Sequence, residues 1–341
     1  MSLTITVQPA GRSFTVARDG TLLAAAIEQG IGLPYGCKDG ACGSCKSKLL
    51  EGRVIHGAHQ AKALSAEEEA AGFVLTCCAI PQTDCTLEAR SVPAEGVHPV
   101  LKMPVRVSSL SKPAPDVLVV KLQLPATQNF RYHAGQYLEF ILRDGSRRSY
   151  SMANAPSEAL EAELHIRHMP GGKFTDHAFT ALKERDILRA EGPFGSFFLR
   201  EGEQPIVLLA SGTGFAPIKA LIEQLERDGS RRPAALYWGG RRPQDLYLHD
   251  WALAAAARLP WLSYVPVVSD AQADDTWTGR TGFVHRAVLE DLADLRGHQV
   301  YACGAPIVVD SARRDFVIEA GLPDDQFYAD AFTSEADKHG A

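Results

Sequence analysis

The chain has 341 residues, 45% hydrophobic and 22% charged, with 29 Gly and 20 Pro. These are ordinary values for two or three globular domains, far from disordered or disulfide-scaffold compositions. The net charge of −6 is uneven: residues 1–90 carry −1 (8 basic, 9 acidic), 91–199 carry +2 (13 and 11) and 200–341 carry −7 (14 and 21), and no segment has the basic footprint of a nucleic-acid binder. No run reaches the roughly 18 apolar residues of a membrane span, and the start has no basic region followed by an apolar stretch. Six of the seven cysteines fall between positions 37 and 85, which argues for a metal site rather than a disulfide framework and for a cytoplasmic location.

In chain order, the alternation Leu3, Ile5, Val7 and then Phe14, Val16 predicts a hairpin turning at Pro9-Ala10-Gly11. Thr21 is a plausible N-cap for a helix over Leu22 to Gln29, which Gly30 stops. A Gly/Cys-rich stretch (Tyr35 to Lys46), an extended pair near Ser47 to Ile55 and an acidic helical piece (Ser65 to Ala71) lead to the strand Phe73 to Cys77. The aperiodic, proline-bearing stretch after Arg90 reads as a linker.

From Val105 to Phe198 the candidates are short strands: Val105–Val107, Val117–Leu124, Tyr137–Leu142, Arg148–Met152, Leu164–His168 and Ile187–Ala190, with one helix from about Phe174 to Leu182. Strands separated by Gly, Pro and Asp turns suggest a small antiparallel barrel. The last third alternates strand and helix: Ile206–Ala210, Pro217–Arg227, Ala234–Trp238, His249–Arg258, Tyr264–Val268, Val284–Leu292, Gln299–Cys303, Ile307–Ala320, Gln326–Ala329. That alternation argues for a doubly wound parallel sheet. The expected domains are therefore 1–92, a linker at 93–101, a barrel at 102–199 and an α/β domain at 200–341.

Cys37-x4-Cys42-x2-Cys45, then 31 intervening residues and Cys77, is the plant-type spacing for a 2Fe-2S cluster. Three thiolates must converge from one tight loop on a compact core, and Gly36, Gly40, Ala41, Gly43 and Ser44 let the backbone pass close to it. A structural zinc site also uses four cysteines, though usually as two CxxC-like pairs. Cys77 and Cys78 are adjacent, and on a strand they would point to opposite faces, so only one can serve. Which of the two serves is left open by the spacing alone, Cys85 reads as an ordinary buried or half-buried thiol, and His56 and His59 read as solvated.

Arg147-Arg148-Ser149-Tyr150-Ser151 places a guanidinium and an aromatic at a strand end, suited to a phosphate and a planar ring; a solvated arginine beside a core tyrosine is the plainer reading. Gly171-Gly172-Lys173-Phe174-Thr175 feeds a helix, a ready pyrophosphate site. Ser211-Gly212-Thr213-Gly214-Phe215-Ala216-Pro217 follows a strand but has Pro217 where the third glycine of the dinucleotide fingerprint would stand. Proline suits a first helical turn, and the two glycines still admit a pyrophosphate, although a structural turn is an even alternative. Cys303-Gly304-Ala305-Pro306 repeats the arrangement after a later strand.

Taken in this order, the motifs resemble the ferredoxin-NADP reductase superfamily, and within it the fused reductases with an N-terminal ferredoxin domain. They are similar to CDP-6-deoxy-glucoseen reductases and to reductase components of aromatic-ring oxygenases and multicomponent monooxygenases. The resemblance implies a β-grasp-like α+β 2Fe-2S ferredoxin domain, an antiparallel β-barrel FAD domain and an α/β doubly wound NAD domain.

It also implies residue roles. Cys77, in Leu-Thr-Cys, becomes the fourth cluster ligand beside Cys37, Cys42 and Cys45. Arg148 would pair with the FAD phosphates, Tyr150 would pack on the isoalloxazine and Ser151 would lie near its N5. Gly171, Gly172 and Thr175 would hold the pyrophosphate. Gly212, Thr213, Gly214 and Pro217 would hold the nicotinamide nucleotide, with Cys303 and Gly304 beside the nicotinamide, where Cys303 can also be read as an inert thiol. Asp330-Ala331-Phe332 would close the flavin face.

The implied activity is electron transfer from NADH through FAD and the cluster to a protein acceptor, either a dideoxysugar dehydrase or an oxygenase component, by a monomer. Arg241 and Arg242 after Trp238-Gly239-Gly240 could take a 2′-phosphate, so NADPH stays possible, although NADH is favoured. A redox sensor that never turns over and a free-flavin reductase with a vestigial cluster are the rivals.

Overall fold

The computed structural model describes residues 2–90, 92–93 and 97–333. Met1, Ser91, Ala94–Gly96 and Ser334–Ala341, which include part of the expected linker and the end of the expected third domain, lie outside the described residues. The chain divides into two compact units. The first holds Met1–Val100, Pro193–Phe197 and Asp330–Ala341, and the second holds Leu101–Gly192 and Phe198–Ala329.

In the first unit, β1 (Ser2–Gln8) and β2 (Arg12–Ala17) form the expected hairpin, with Ile5 opposite Phe14. Their inward residues Ile5, Val7, Phe14 and Val16 are buried while the alternate positions are not, as period-2 patterning requires. Thr21 caps α1 (Leu22–Glu28), its side chain accepting from the Ala24 N–H, and α1 buries Leu22, Leu23, Ala25 and Ala26 in this unit's core. The next strands are β3 (Lys46–Glu51) and β4 (Val54–His56), then α2 (Ala66–Ala70), capped by a reciprocal Ser65–Glu68 box. After them come β5 (Phe73–Leu75), β6 (Ala79–Pro81) and β7 (Cys85–Glu88).

The main sheet runs β2-β1-β7-β3-β5, with β1 and β7 parallel, and β4 pairs with β6 in a separate ribbon. The extended pair expected near Ser47 to Ile55 is therefore not a pair, because its two halves belong to different sheets. A strand sequence reports that it needs a partner and not which partner it finds.

The second unit opens with β8 (Leu101–Ala114), far longer than the Val105–Val107 segment read from sequence. Two register shifts against β9 (Val117–Gln123), one between Val107 and Ser109 and one between Ser111 and Ala114, carry the strand through a polar, proline-containing run; bulges tolerate such residues where a regular ladder does not. With β10 (Tyr137–Ile141), β11 (Arg147–Ser151), β12 (Glu161–Arg167) and β13 (Ile187–Phe194) it makes a six-stranded sheet, β11-β10-β13-β8-β9-β12. An antiparallel bridge between Met152 and Leu164 brings the ends of that order back together, the expected barrel. The helix α3 (Thr175–Thr180) sits between β12 and β13.

The rest of this unit is the doubly wound sheet. Its strands are β14 (Ile206–Ser211), β15 (Ala234–Gly240), β16 (Leu262–Val268), the short β17 (Arg280–Thr281), β18 (Gln299–Gly304) and β19 (Phe327–Ala331), in the order β17-β16-β15-β14-β18-β19. Helices α4 (Phe215–Arg227), α5 (His249–Arg258), α6 (Val284–Asp291) and α7 (Pro306–Ala320) connect them. Ile206 to Ala210 are all buried, the continuous apolar run of a central parallel strand. The strand order reverses between β15 and β18 on either side of β14, and such a switch point opens a crevice at the strand ends.

Candidate functional site: three cofactor-binding loops

The cysteine loop is shaped by backbone that most residues avoid. Lys38, Gly40 and Gly43 have positive φ (66°, 77° and 76°), and a Cβ on Gly40 would meet Cys78 Sγ at 2.8 Å and His59 Cβ at 2.9 Å, so glycine is required there. In this loop the Cys37 N–H points at Cys42 Sγ (3.4 Å), and Cys42 Sγ lies 3.4 Å from Ser44 Oγ. The fourth cysteine arrives from β5: Cys77 Sγ is 3.3 Å from Cys45 Sγ.

Cys77 and Cys78 occupy the turn after β5, closed by Cys78 N–H to Leu75 O, rather than the strand itself. Strand alternation therefore does not separate them, and their sulfurs lie 3.5 Å apart. Within the same unit, the Tyr35 N–H donates to Ser196 Oγ (2.9 Å), Lys38 Nζ sits 3.5 Å over the Phe194 ring, and a Cβ on Gly36 would lie 3.5 Å from Asp330 Oδ1.

The donor chemistry fits a cationic iron core. Hydrogen bonding from Cys37 lowers the Cys42 thiol to about 6, while the same bond and burial push Cys37 up. Cys45 is lowered chiefly by its hydrogen bond with Cys77, and Cys77 is raised chiefly by its sulfur neighbours Cys45 and Cys78. Thiols paired this closely, Cys37 with Cys42 and Cys45 with Cys77, cannot both ionise unless a positive centre offsets them. His56 and His59 are not solvated: Glu69 Oε1 lies 3.5 Å from His56 Nδ1 and 3.0 Å from His59 Nε2.

In the barrel, the alternation of β11 sets Arg148 and Tyr150 on one face and Ser151 on the other. Tyr150 packs on Phe140 and Phe174 (ring centroids 5.8 and 5.5 Å), and burial raises its phenol. Ser151 is buried opposite Tyr137, and Arg148 is half-buried opposite Phe140. Neighbouring Arg147 is held by Glu139 and Glu191.

At Gly171-Gly172 the structure explains one glycine internally. A Cβ on Gly172 would meet Thr175 Oγ1 at 2.4 Å, because that hydroxyl folds back to donate to Met169 O at 2.8 Å. Gly171 has φ +79° with open space around its Cβ position, and its N–H donates to Asp176 Oδ2 at 3.1 Å.

The crevice at the switch point is built by backbone contact between two strand ends. Gly212–Gly214 form one 3-10 turn before α4. A Cβ on Gly214 would meet Cys303 O at 2.2 Å, and one on Gly304 would meet Ser211 O at 2.4 Å. Gly214 and Gly304 are thus fixed by each other's loops, and the structure brings the two repeated motifs of the sequence together. Cys303 is fully buried there, Pro217 is buried in the first turn of α4, and Thr213 is partly exposed. Beneath the turn, Phe215 stacks on Trp238 (3.8 Å, 10°), whose Nε1–H donates to Gly212 O at 3.0 Å.

Arg167, at the end of β12, is a residue that sequence reading missed. Its guanidinium comes within 3.5 Å of the Cβ position of Gly212, which has φ +54°, and is steered by Asp116 (3.3 Å) and Asp245 (3.4 Å). Its only signal in the sequence was a basic residue within the strand candidate Leu164–His168. Phe332 lies just past β19, partly buried.

A 2Fe-2S iron-sulfur cluster binding domain matches residues 5–82, an oxidoreductase FAD-binding domain residues 104–199 and an oxidoreductase NAD-binding domain residues 208–314. The chain is 42% identical over 335 residues to the CDP-6-deoxy-L-threo-D-glycero-4-hexulose-3-dehydrase reductase of Yersinia pseudotuberculosis, covering 97% of this chain and 99% of that one. It is 35% identical over 330 residues to a terephthalate 1,2-dioxygenase reductase component of Comamonas, covering 96% of each. The crystal structure of the Amycolatopsis cytochrome P450 reductase GcoB superposes with a TM-score of 0.80 at 33% identity, over 97% of this chain and 99% of that one. This chain therefore belongs to the oxidoreductases of the ferredoxin-NADP reductase superfamily that join a 2Fe-2S ferredoxin domain, an FAD domain and an NAD domain in one polypeptide.

Proposed function

We propose that the chain is the NADH-dependent reductase of a two-component system whose acceptor is a nucleotide-sugar dehydrase. FAD, when bound, would supply a hydride acceptor for NADH and a 2Fe-2S cluster would supply one-electron release, which together turn a two-electron donor into a one-electron source. The protein's own part is position rather than acid-base chemistry. Cys37, Cys42, Cys45 and Cys77 hold the irons. Tyr150 would cover the flavin ring, Arg148 and the Gly171–Thr175 turn would take its phosphates, and Ser151 would serve the N5 side. Gly212–Gly214 and Arg167 would receive the coenzyme diphosphate, Cys303 and Gly304 would border the nicotinamide, and Phe332 would close the flavin's nicotinamide side.

The observation that carries this reading is the joining of three cofactor-binding domains in one chain. The choice of acceptor rests on the 42% identity to the hexulose-3-dehydrase reductase, against 35% to the dioxygenase component. An oxygenase component is the second reading, supported by those same oxygenase relatives.

The test is NADH oxidation by the holoprotein with two acceptors. Cys42→Ser should abolish reduction of cytochrome c while ferricyanide reduction, drawn directly from flavin, survives. Equal loss of both, or of neither, counts against the internal relay. Adding a purified CDP-hexulose dehydrase or a Rieske oxygenase then decides the acceptor by which of them draws NADH consumption.

A further inference from the structure

The end of β15 carries two arginines whose use the fold itself decides. In a doubly wound sheet, the residues after this strand meet the adenosine ribose: an acid there receives the 2′-hydroxyl, and an arginine accommodates a 2′-phosphate. Ser211 pairs with Gly239, so Arg241 and Arg242 follow immediately beside the Gly212 turn.

The Arg242 fork and the backbone amides at this place already face carboxylates. Arg242 Nε and Nη2 each lie 2.8 Å from Asp275, one from each carboxylate oxygen, a bidentate fork, and Nη2 also lies 3.5 Å from Asp274. The backbone N–H groups of Arg241 and Arg242 both donate to Asp245 Oδ2, at 2.8 and 3.0 Å. Gly240 permits this, since a Cβ there would meet Asp245 Cβ at 2.7 Å. The Arg241 guanidinium is 83% exposed and only 3.8 Å from Asp270, an arrangement of little energetic weight. Three cations, Arg241, Arg242 and the Arg167 that also meets Asp245, thus stand among Asp245, Asp270, Asp274 and Asp275, and the local balance is negative.

We infer that Asp275 is a specificity-determining residue, which occupies the Arg242 fork and thereby excludes the 2′-phosphate of NADPH. Asp275 touches no part of the coenzyme and acts through Arg242. The second half of the device is Asp245, which takes the two amides. A bidentate arginine fork is among the strongest phosphate receptors a protein has, so releasing it reverses the local preference. This inference rests on the coenzyme-reductase reading above.

The test measures binding of 5′-AMP and of 2′,5′-ADP to the holoprotein by titration calorimetry, alongside kcat/KM for NADH and NADPH. The unaltered protein should bind 2′,5′-ADP no more tightly than 5′-AMP. Asp275→Asn, which keeps an acceptor for the Gln272 N–H that Asp275 now receives at 2.8 Å, should tighten 2′,5′-ADP about tenfold and raise the NADPH/NADH ratio of kcat/KM by a similar factor. Arg242→Ala/Asp275→Asn should lose that gain. If Asp275→Asn does not fold, Asp275→Ser, whose shorter hydroxyl also removes the carboxylate from the Arg242 fork, answers the same question. An unchanged 2′,5′-ADP affinity in the single variant, or a gain that persists in the double variant, overturns the inference and leaves the reductase reading standing. Failure of the unaltered protein to bind either nucleotide or to oxidise NADH overturns the reading beneath it.

Discussion

Cys45 Sγ and Cys77 Sγ meet at 3.3 Å although they are 32 positions apart in sequence. The register of two strands brings them together: Lys46 on β3 pairs with Leu75 on β5, so the residues just before β3 and just after β5 share one end of the sheet. The Thr76 N–H and hydroxyl, which both donate to Cys45 O at 3.3 and 3.4 Å, fasten that end. If these thiols hold the cluster, Cys45→Ser should leave purified protein with iron and acid-labile sulfide well below two per chain and no broad visible band. Cys85→Ser should retain both, since Cys85 packs instead near Arg53 and Thr83 carbonyls. Full iron content in Cys45→Ser would contradict the ligand set.

The nucleotide crevice depends on a glycine with no room for a methyl group. Gly214→Ala forces a Cβ against the Cys303 carbonyl, whose backbone cannot move without shifting β18. The expected result is a loss of about 1–3 kcal/mol of stability and a raised KM for NADH. Gly297→Ala, where nothing lies within 4 Å of the new Cβ, is the matched control and should melt within a degree or two of the unaltered protein. Equal behaviour of the two variants would contradict the packing argument.

Arg167 gives a prediction that separates binding from chemistry. Arg167→Ala should raise the KM for NADH about tenfold, the effect of one charge-assisted contact to a diphosphate, with kcat little changed. A variant that loses kcat at constant KM would place Arg167 elsewhere in the reaction.

A buried polar network joins α4 to the barrel. Lys219 Nζ lies 2.6 Å from Glu223 and 3.1 Å from Glu163, and donates to Ala153 O at 3.1 Å, while Glu163 also meets His165 Nε2 at 2.9 Å. Lys219→Met leaves these carboxylates without their cation, which costs about 3–5 kcal/mol in buried pairs and should lower the melting temperature on the order of 5–10 °C. Burial alone would raise the Glu163 carboxyl, but the His165 hydrogen bond and Lys219 outweigh it and hold it at about 2. A depressed carboxyl stabilises the fold above its ordinary value of 4.5 and loses that contribution as pH falls toward 2. The melting temperature should therefore fall more steeply across that window in the unaltered protein than in Glu163→Gln. Parallel profiles would show that Glu163 does not carry the effect.

Much of this was legible from local chemistry. The cysteine spacing, the Thr21 cap, the acidic helical piece from Ser65 to Ala71 and the strand-helix alternation of the last third each state a local preference that the tertiary fold accepts. What stayed hidden depends on partners distant in sequence. The pairing of β3 with β5 and β7 rather than β4, the bulges that extend β8 and the meeting of Arg167 with Gly212 leave no periodicity to read. Gly214 and Gly304 were recognisable as motif glycines, but their packing against each other's loops was not. Cys77 and Cys78 show the same limit, because strand alternation was the wrong rule for two residues that lie in a turn.

The central claim, that one chain relays electrons from nicotinamide through flavin to iron, is tested most directly by anaerobic titration of the holoprotein with NADH while its visible spectrum is recorded. About one and a half equivalents, for two flavin electrons and one cluster electron, should bleach both the flavin bands and the broader iron-sulfur absorption. A flavin that bleaches while the cluster stays oxidised would contradict the relay.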